Sequence, residues 1–463
     1  MFRPIATIRY CLPILMCMLS GCKHLNRRHD VIIANVNIVN VSTGQVEKNR
    51  WIFIDDERIS SIVESLDGHR ADTVVDGTDK FLIPGLWDMH ANDYLYFKNL
   101  NIAHGIIGVC DEFEDVKTLA EIRQQKIGKY FIVPDVYSAG TMVDGPGLDT
   151  AGFDVVHTRR DVIRVLSRQK TEGVDFVKLA NQLSPELYRE IVHCADSLNI
   201  PFGGHVPFKV SIWEAIRSNQ KSIEHSLGIL EGSSTNADSL YAYFNTTEMK
   251  FASWNADVFD LLIKTFDEHR FDSLSKVLAS HDVYLSPTLV AARGWSHRYD
   301  TAFFEDDRMK YIHPDLLAYW KTPRDPAEIE AYKRKYEFER RLMGRLRKAG
   351  VKFLASTDAP SFYTYPGFDL HEELRFFVDD GFTNLEALQT ATLNPSVFAG
   401  KANDFGTVDT NKYASLVLLN SNPLENITNT KDINSVFLRG YYLSRHSLDS
   451  LMKVQETAYY YRN

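Results

Sequence analysis

Five short apolar runs in this sequence each end in a polar residue that could bind a metal ion. The runs are FLIPGLWDMHAN, GVDFVKLA, IPFGGHV, KSIEHS and VKFLASTDA, and their polar endings are His90 with Asn92, Lys178, His205, His225 and Asp358. Strands that finish in functional side chains are typical of a (β/α)8 barrel, because its active site lies at the C-terminal ends of the strands. Histidines, a carboxylate and a buried lysine that meet there indicate a divalent-metal site.

The spacing of these runs fits a barrel. Lys178 and His205 are roughly 27 residues apart and His205 and His225 roughly 20, close to one βα unit. The runs HGIIGVCDEF, KYFIVPDVYSAG and VYLSPTL are predicted to be strands two, three and seven. We therefore predict an α/β fold with a (β/α)8 TIM-like barrel over residues 83–402.

Strand patterns also lie at both ends of the chain. VIIANVNIVN, RWIFIDDERISSIVE and TVVDG precede the barrel, and YASLVLLN and SVFLRGYYLSR follow it. Their alternating β-branched residues are typical of half-buried strands. The simplest topology joins residues 31–82 and 403–450 into one small, discontinuous β-sandwich domain.

Two stretches of the predicted barrel are longer than ordinary loops. Residues 231–275 and 290–345 are rich in aromatic and charged side chains. Such insertions either cap the active site or form a packing or subunit surface. Beyond strand eight, Thr383 and Glu386 are predicted to form a capping box that opens the helix NLEALQTATL, with Asn394-Pro395 ending it.

The N-terminus carries a predicted export signal. Arg3 and Arg9 precede an apolar stretch, residues 11–19, that is too short to span a bilayer. It leads into LSGC, which resembles the lipobox of bacterial lipoproteins. This resemblance implies a signal peptide over residues 1–22 and lipidation at Cys22, followed by a tether over residues 23–30. Because Lys23 is not an aspartate, the resemblance implies a bacterial envelope protein anchored in the outer membrane, facing the periplasm or the cell surface. An ordinary signal peptide with an unrelated cysteine is the alternative.

The composition limits the kinds of molecule that the chain can bind. With 463 residues and 44% hydrophobic content, the chain can bury a large core. Its net charge of -9 argues against nucleic acid, whose binding depends on clustered Lys and Arg. Cys110 and Cys194 are isolated in apolar contexts, so no disulfide framework is expected.

Taken together, the motifs resemble the amidohydrolase superfamily. PGLWDMH, the five ordered strand endings and the tail GFTNLEALQTATLNPSVFAG…FGTVDTNKYASLVLL carry the likeness, which runs from about residue 31 to 445. The imidazolonepropionase-like and prolidase-like branch is the most similar. The resemblance implies a barrel with a β-sandwich built from both chain ends, in agreement with the division above.

The resemblance also implies a chemistry. His90 and Asp358 would hold one metal ion, and His205 and His225 a second, with one or two divalent ions expected, zinc foremost. Lys178, carboxylated by carbon dioxide, would bridge them, which requires that the site lower the pKa of its amine. Metal-activated water would attack a small-molecule or short-peptide substrate, and Asp358 would pass the proton to the leaving nitrogen.

Two departures count against the full mechanism. Asn92 stands where relatives have a second metal-binding histidine, and an amide oxygen is a poor zinc ligand, although harder metals accept it. Near strand two, relatives often read Thr-Thr-Val-Arg-Asp, whereas this sequence has Ile107-Gly108-Val109-Cys110-Asp111 and lacks the arginine. Asn92 is therefore an uncertain metal ligand.

Three functions remain open. The first is a lipid-anchored hydrolase of C–N bonds in amides, cyclic amides or peptides. The second is a catalytically impaired binding or scaffold protein of the same fold, which Asn92 favours. The third is a related metal enzyme that acts on an ester, lactone or C–Cl bond. Each is compatible with a homo-oligomer.

Overall fold

The computed structural model describes residues 27–66, 68–112, 116–125, 128, 132–147, 153–246 and 256–458. The expected signal peptide and Cys22 lie outside the described residues. Within the described part, no helix is long and apolar enough to cross a membrane.

The described chain begins with five strands: Arg27–Val39 (β1), Val46–Asp55 (β2), Arg58–Val63 (β3), His69–Asp76 (β4) and Phe81–Pro84 (β5). Strand β1 pairs antiparallel with β2 and parallel with β4 and β5. It starts at Arg27, inside the segment that was predicted to be a tether, so that prediction is wrong for residues 27–30. The reason is His29, which is buried, stacks on Phe53 at 4.6 Å and bonds to Asp55 at 2.8 Å.

Ten short strands follow: Leu86–Ala91 (β6), Ile106–Asp111 (β7), Asp135–Ser138 (β8), Val143–Asp144 (β9), Asp154–Val155 (β10), Val177–Leu179 (β11), Phe202–Gly204 (β12), Ser222–Glu224 (β13), Tyr284–Ser286 (β14) and Lys352–Phe353 (β15). The eight predicted barrel strands appear among them in the predicted order, as β6, β7, β8, β11, β12, β13, β14 and β15.

These strands form three parallel sheets, not one continuous ladder. Main-chain hydrogen bonds nevertheless cross the gaps between the sheets. Asp175 N donates to Ser138 O at 2.8 Å and Lys221 N to Phe202 O at 2.9 Å. Met89 N donates to the carbonyl that follows β15, Ala355 O, at 2.9 Å. The first and last of the eight strands therefore lie side by side, which brings their C-terminal ends together.

In the described residues, helices lie between these strands and directly after them: Tyr94–Ala103 (α1), Val116–Arg123 (α2), Arg159–Glu172 (α3), Pro185–Leu198 (α4), Ile212–Arg217 (α5), Ile229–Ser233 (α6), Ala237–Thr246 (α7), Ala256–Lys264 (α8), Glu268–Ser280 (α9), Leu289–Ser296 (α10), Thr301–Phe304 (α11), Pro314–Trp320 (α12), Pro326–Lys348 (α13), Phe368–Asp379 (α14), Asn384–Thr390 (α15) and Leu393–Phe398 (α16). Short 3-10 helices span Asp307–Tyr311 and Ile427–Lys431.

The predicted capping box is confirmed, but the predicted helix end is wrong. Thr383 and Glu386 bond reciprocally at the start of α15. The helix ends at Thr390, before the expected stop, and Asn394-Pro395 lies inside α16. Proline is tolerated there because the first N–H groups of a helix have no partner within the helix.

The C-terminal part returns to the first sheet. Leu416–Leu419 (β16), Ile433–Leu438 (β17) and Tyr441–Ser444 (β18) precede the last helix, Arg445–Thr457 (α17). The strand order is β18-β17-β16-β5-β1-β2-β3, with β4 paired to β1, so both chain ends build one connected eight-stranded sheet. Its apolar core is separate from the larger core around the parallel strands.

Candidate active site

The ends of the parallel strands surround one cavity of about 280 Å³. All six residues that the sequence analysis placed at strand ends line it: His90, Asn92, Lys178, His205, His225 and Asp358. They come from β6, β11 and the segments directly after β6, β12, β13 and β15. The structure therefore brings the predicted site residues together.

Backbone shape directs several of these side chains. His225 and Asp358 both have a φ of 54°, a left-handed conformation that is rare for residues other than glycine. Such strain clusters at functional sites, where the surrounding structure must hold it. Gly204 contributes through its missing side chain, because a Cβ at this position would lie 2.6 Å from Cδ of Lys178. The glycine at the end of β12 thus leaves room for the lysine stem.

Two of the histidines are fixed through one ring nitrogen. His225 Nδ1 lies 2.7 Å from Thr288 Oγ1, and His205 Nδ1 lies 2.9 Å from Asn181 Oδ1. This leaves the Nε2 atom of each ring available to bind a cation, the usual arrangement of metal-binding histidines. Burial lowers the pKa of His225 to about 4, and burial together with the Lys178 charge lowers the pKa of His205 well below its usual value. Both imidazoles are therefore neutral, the form that binds metals.

His90 lies between two carboxylates. Its Nε2 is 3.3 Å from Asp358 Oδ1, and its Nδ1 is 3.4 Å from Glu224 Oε2. The buried Nδ1 has no hydrogen-bond partner among the described residues. Burial and Lys178 lower the pKa of His90, but the carboxylates of Glu224, Glu112 and Asp358 outweigh them and raise it to about 9.

Asn92 contacts the Asp358 carboxylate through its amide nitrogen and not through its amide oxygen. Its Nδ2 donates to Asp358 Oδ1 at 2.9 Å. Burial raises the pKa of Asp358, but His90 and the Asn92 hydrogen bond outweigh it, so the pKa is lowered and the group is a carboxylate. An amide nitrogen cannot coordinate a cation. In this geometry Asn92 is a positioning residue for the carboxylate.

Sequence reasoning missed two glutamates, Glu112 and Glu224. Lys178 Nζ lies 2.7 Å from Glu112 Oε2 and also donates to Glu224 Oε2. All three side chains are buried, with exposures of 1%, 2% and 2%. Burial lowers the pKa of Lys178, but the two carboxylates outweigh it and raise the pKa, which is the opposite of the expected depression. The available signal was position, because Glu112 directly follows a strand and Glu224 ends one.

Cys110 stands where the family resemblance implies an arginine, and it lies against Glu112. Its Sγ is 3.4 Å from Glu112 Oε1, and burial raises the pKa of the thiol. The neighbouring Asp111 accepts a hydrogen bond from Ser138 Oγ at 3.0 Å. The missing arginine therefore changes the charge directly beside the site.

The insertion over residues 290–345 forms one wall of the cavity. Trp295 comes from α10, and Tyr332, Tyr336, Lys335 and Glu339 come from α13. Lys335 Nζ lies 2.7 Å from Glu339 Oε2, and both side chains are buried. The insertion therefore contributes side chains to the site, as expected of a segment that caps it. No described residue of the 231–275 insertion lines the cavity.

The donor set fits a divalent cation. One ligand atom each from His90, Glu224 and His225 lie within 4.8 Å of one another. The three imidazoles are close, with ring centroids 5.0 Å apart for His90 and His225 and 5.0 Å for His205 and His225. Nitrogen and carboxylate donors with an unpartnered buried ring nitrogen suit zinc and similar ions.

The fold and site define an α/β protein with a candidate metal centre at its strand ends. Residues 154–442 match the model of the Amidohydrolase family, which is more than half of the chain. The chain therefore belongs to the amidohydrolase family, as its motifs predicted. No curated protein matches it.

Several solved structures share the fold. Bottromycin amidohydrolase has a TM-score of 0.74 at 20% identity, covering 92% of this chain and 90% of that one. A prolidase complexed with N-methylphosphonate-L-proline has a TM-score of 0.65 at 18% identity, covering 90% and 99%. An Xaa-Pro dipeptidase with bound methionine has a TM-score of 0.62 at 17% identity, covering 89% and 99%. At these identities the similarity concerns the fold alone.

Proposed function

We propose that this chain is a metal-dependent amidohydrolase that cleaves a C–N bond in an amide, cyclic amide or short peptide. The observation that carries the proposal is the convergence of three imidazoles and Asp358 on one cavity. Membership of the amidohydrolase family supports a hydrolase acting on C–N bonds. The parallel strands are proposed to form the closed eight-stranded barrel of that fold, and zinc is the proposed ion.

His90, His205, His225 and Glu224 are the residues that would hold the ion. A divalent cation there supplies Lewis-acid polarisation of the carbonyl and lowers the pKa of water. Asn181 and Thr288 contact Nδ1 of the neutral His205 and His225 rings, so the Nε2 atom of each ring would be available to bind the ion.

Asp358 moves the proton. Its carboxylate is ionised and is held by Asn92 and His90, so it can accept a proton from the attacking water. The water oxygen forms a bond to the carbonyl carbon, the C–N bond breaks, and Asp358 gives the proton to the leaving nitrogen. The products are a carboxylic acid and an amine.

The cavity wall indicates the size and character of the substrate. A volume of about 280 Å³ suits a small molecule or a dipeptide. The aromatic rings of Trp295, Tyr332 and Tyr336 favour an apolar group, because stacking on aromatic faces adds to burial of apolar area. The Lys335–Glu339 pair offers one donor and one acceptor in the same wall. The solved neighbours include a prolidase and an Xaa-Pro dipeptidase, so dipeptides with a C-terminal proline or an aromatic residue are the first substrates to test.

A second candidate function is substrate binding without turnover. Asn92 favours it, because the resemblance places a metal-binding histidine at this position. In this case the cavity and its aromatic wall would retain ligands while hydrolysis is lost.

The proposed location is the bacterial cell envelope, with a lipid on Cys22 as the anchor and the outer membrane as the destination. The support is the sequence LSGC after a short apolar stretch. This location would give the enzyme access to small molecules and peptides outside the cytoplasm.

Metal analysis paired with a substrate panel tests the proposal. The purified protein is analysed for bound metal and incubated with Xaa-Pro dipeptides, Xaa-aromatic dipeptides, cyclic amides and an ester. We expect bound divalent metal and cleavage of at least one amide, with both lost in His225→Ala. Ligand binding without cleavage in a metal-loaded protein would support the binding function, and a protein that takes up no divalent metal would contradict the metal-dependent hydrolase function.

A further inference from the structure

A second cavity lies beside the active site and is separated from it by helix α10. Its volume is about 490 Å³, against about 280 Å³ for the active-site cavity. Val290 and Arg293 of α10 line the second cavity. Leu289 and Trp295 of the same helix line the active-site cavity. The described linings share no residue, so these are two distinct cavities.

The lining of the second cavity carries more positive than negative charge. The basic side chains are Arg293, Arg308 and Lys431. The acidic side chains are Asp369 and Glu372. The space between them is large enough for a small molecule, and its wall carries one cation more than it carries carboxylates.

The acidic side chains around this cavity are already bound by basic ones. Arg308 donates to Asp369 Oδ1 at 2.6 Å and to Asp306 Oδ2 at 2.6 Å. Glu372 Oε1 accepts a hydrogen bond from Lys431. These three carboxylates therefore have cationic partners without the remaining arginine of the lining.

That remaining arginine, Arg293, has its charge available to the cavity. The part of the chain that the structure describes gives its guanidinium no ion pair and no hydrogen bond, and its Cζ lies 4.9 Å from the centroid of the Phe303 ring. An aromatic face attracts a cation but does not neutralise its charge. The side chain is half-buried, so water screens this charge only in part. A guanidinium group with free donors fits the two oxygens of a carboxylate.

The histidines of the cavity add no charge at pH 7. Burial lowers the pKa of His104 to about 4 and that of His371 to about 3, and the positive charge of Lys431 contributes to both. His104 Nδ1 donates to Leu100 O at 2.8 Å, so its Nε2 is a hydrogen-bond acceptor. The excess positive charge in the lining is therefore that of the arginine.

The rest of the wall can hold an apolar group. Val290, Tyr363 and Phe368 line the cavity beside the charged residues. The Phe368 ring is half-buried and lies 3.9 Å from the His104 ring between centroids. A partly exposed aromatic ring gains free energy when an apolar group covers it. An anion with an organic part therefore fits this cavity better than a bare inorganic ion.

We propose that the second cavity is a binding site for a small organic monoanion. Its carboxylate binds the guanidinium of Arg293, and its apolar part lies beside Phe368. A single negative charge suffices, because one cation of the lining lacks a carboxylate partner. The site is separate from the proposed metal centre and does not depend on the proposed hydrolase function.

Titration calorimetry with benzoate tests this site. Benzoate is titrated into the purified protein, and benzamide and inorganic phosphate are titrated in parallel. Benzamide has no charge, and phosphate has no apolar part. We expect benzoate to bind about tenfold more tightly than either, because it alone offers both a charge-assisted hydrogen bond and an apolar ring. Binding of benzamide or phosphate as tight as that of benzoate would overturn the proposed ligand class.

Two variants test the role of the arginine. Arg293→Gln removes the positive charge, and we expect benzoate affinity to fall about tenfold or more. Arg341→Gln is the matched control, because the Arg341 guanidinium also lies over a phenylalanine ring, Phe338 at 5.0 Å, and lines neither of the two cavities. Its benzoate affinity should stay near the wild-type value. Equal affinities in the two variants would show that Arg293 does not bind the anion.

A third variant and a crystal soak separate this site from the metal centre. His225→Ala alters only the active-site cavity, so its benzoate affinity should stay near the wild-type value, and a large loss would place benzoate at the metal centre. In crystals soaked with 4-bromobenzoate, we expect the anomalous signal of bromine between α10 and α14, beside Phe368. This measurement needs no folded Arg293→Gln. Bromine in the active-site cavity alone would overturn the inference and leave the proposed hydrolase function intact.

Discussion

Asn92 offers a direct test of how this site works, because the structure gives it a different role from that of the metal-binding histidine that the family resemblance implies. Its amide donates to Asp358 Oδ1 at 2.9 Å. A hydrogen bond to a charged group contributes about 1.5–3 kcal/mol when its loss leaves the acceptor without a partner. The Asp358 side chain is 23% exposed, so water can replace the amide in part. We therefore take the lower end, about 1.5 kcal/mol, for the loss in Asn92→Ala, which corresponds to about tenfold in kcat.

Asn92→His separates positioning from metal binding. It adds an imidazole where the resemblance places one, so zinc per chain should rise from about one ion toward two. If activity also rises, the natural protein is a weakened hydrolase. If occupancy rises without activity, the binding function gains support.

The assay compares kcat and metal content in one set of proteins. Asn181→Ala is the matched control, because its oxygen holds His205 and does not contact Asp358. We expect Asn181→Ala to lower metal retention, and Asn92→Ala to lower kcat while metal content is kept. An Asn92→Ala variant with unchanged kcat, beside an inactive Asp358→Asn, would refute the positioning role of Asn92. So would wild-type protein whose Asn92 coordinates one of two tight zinc ions.

Three further predictions concern other parts of the chain. Burial, with a smaller effect of His104, lowers the pKa of His371 from 6.5 to about 3. Because the unfolded chain binds this proton more readily, the neutral His371 stabilises the fold above pH 6.5, and the stabilisation is lost as pH falls toward 3. Acidification from pH 7 to 5 should cost about 2 kcal/mol at this position, and urea titrations should show a weaker pH dependence in His371→Asn than in the exposed control His269→Asn. Trp295→Ala should raise KM about tenfold with little change in kcat, because it removes an apolar part of the cavity wall that takes no part in the proton transfer, and a lower kcat at constant KM would contradict this. Cys22→Ser should abolish incorporation of labelled palmitate, and equal labelling of both proteins would exclude lipidation at this cysteine.

The strand-end residues were predictable because they obey one geometric rule. An apolar run forms a buried parallel strand, and the first polar residue at its end must face the common rim. His90, Lys178, His205, His225 and Asp358 all follow this pattern and all line the cavity. The strand order followed from the same runs, since consecutive βα units leave few alternative arrangements.

The two glutamates were missed for a physical reason. A polar residue at a strand end is recognised as a site residue only when its type has a known role there, and neither Glu112 nor Glu224 had one. Only the structure shows that both meet Lys178, which is 46 residues from Glu224 in sequence. The family resemblance implies a modification of the lysine that requires a neutral amine, whereas its carboxylate neighbours favour the cation.

Some predicted ends of strands and helices were wrong because contacts with distant parts of the chain decide where these elements begin and end. The first strand starts at Arg27, earlier than expected, because His29 stacks on Phe53 of β2 and on His69 of β4, two strands that come later in the chain. Asn394-Pro395 lies in the first turn of the next helix, α16, and does not stop α15, which had already ended at Thr390. Element ends depend on tertiary contacts, and they are the least predictable part of a fold.

The charge of the site predicts how many ions it holds. With metal bound, Glu112, Glu224 and Asp358 would carry three negative charges and Lys178 one positive charge. The histidines are neutral as metal ligands, so His90, whose pKa is about 9 without an ion, would release its proton when it binds one. The remaining two negative charges match one divalent cation, and a second cation would leave an excess of positive charge in a buried space. We therefore expect about one tightly bound Zn²⁺ per chain by metal analysis after dialysis. Asn92→His adds a ligand and no charge, so the second ion that it admits should dissociate first when a chelator is added. Two ions of equal affinity in the wild type would contradict this charge balance, because the buried groups could then not compensate them.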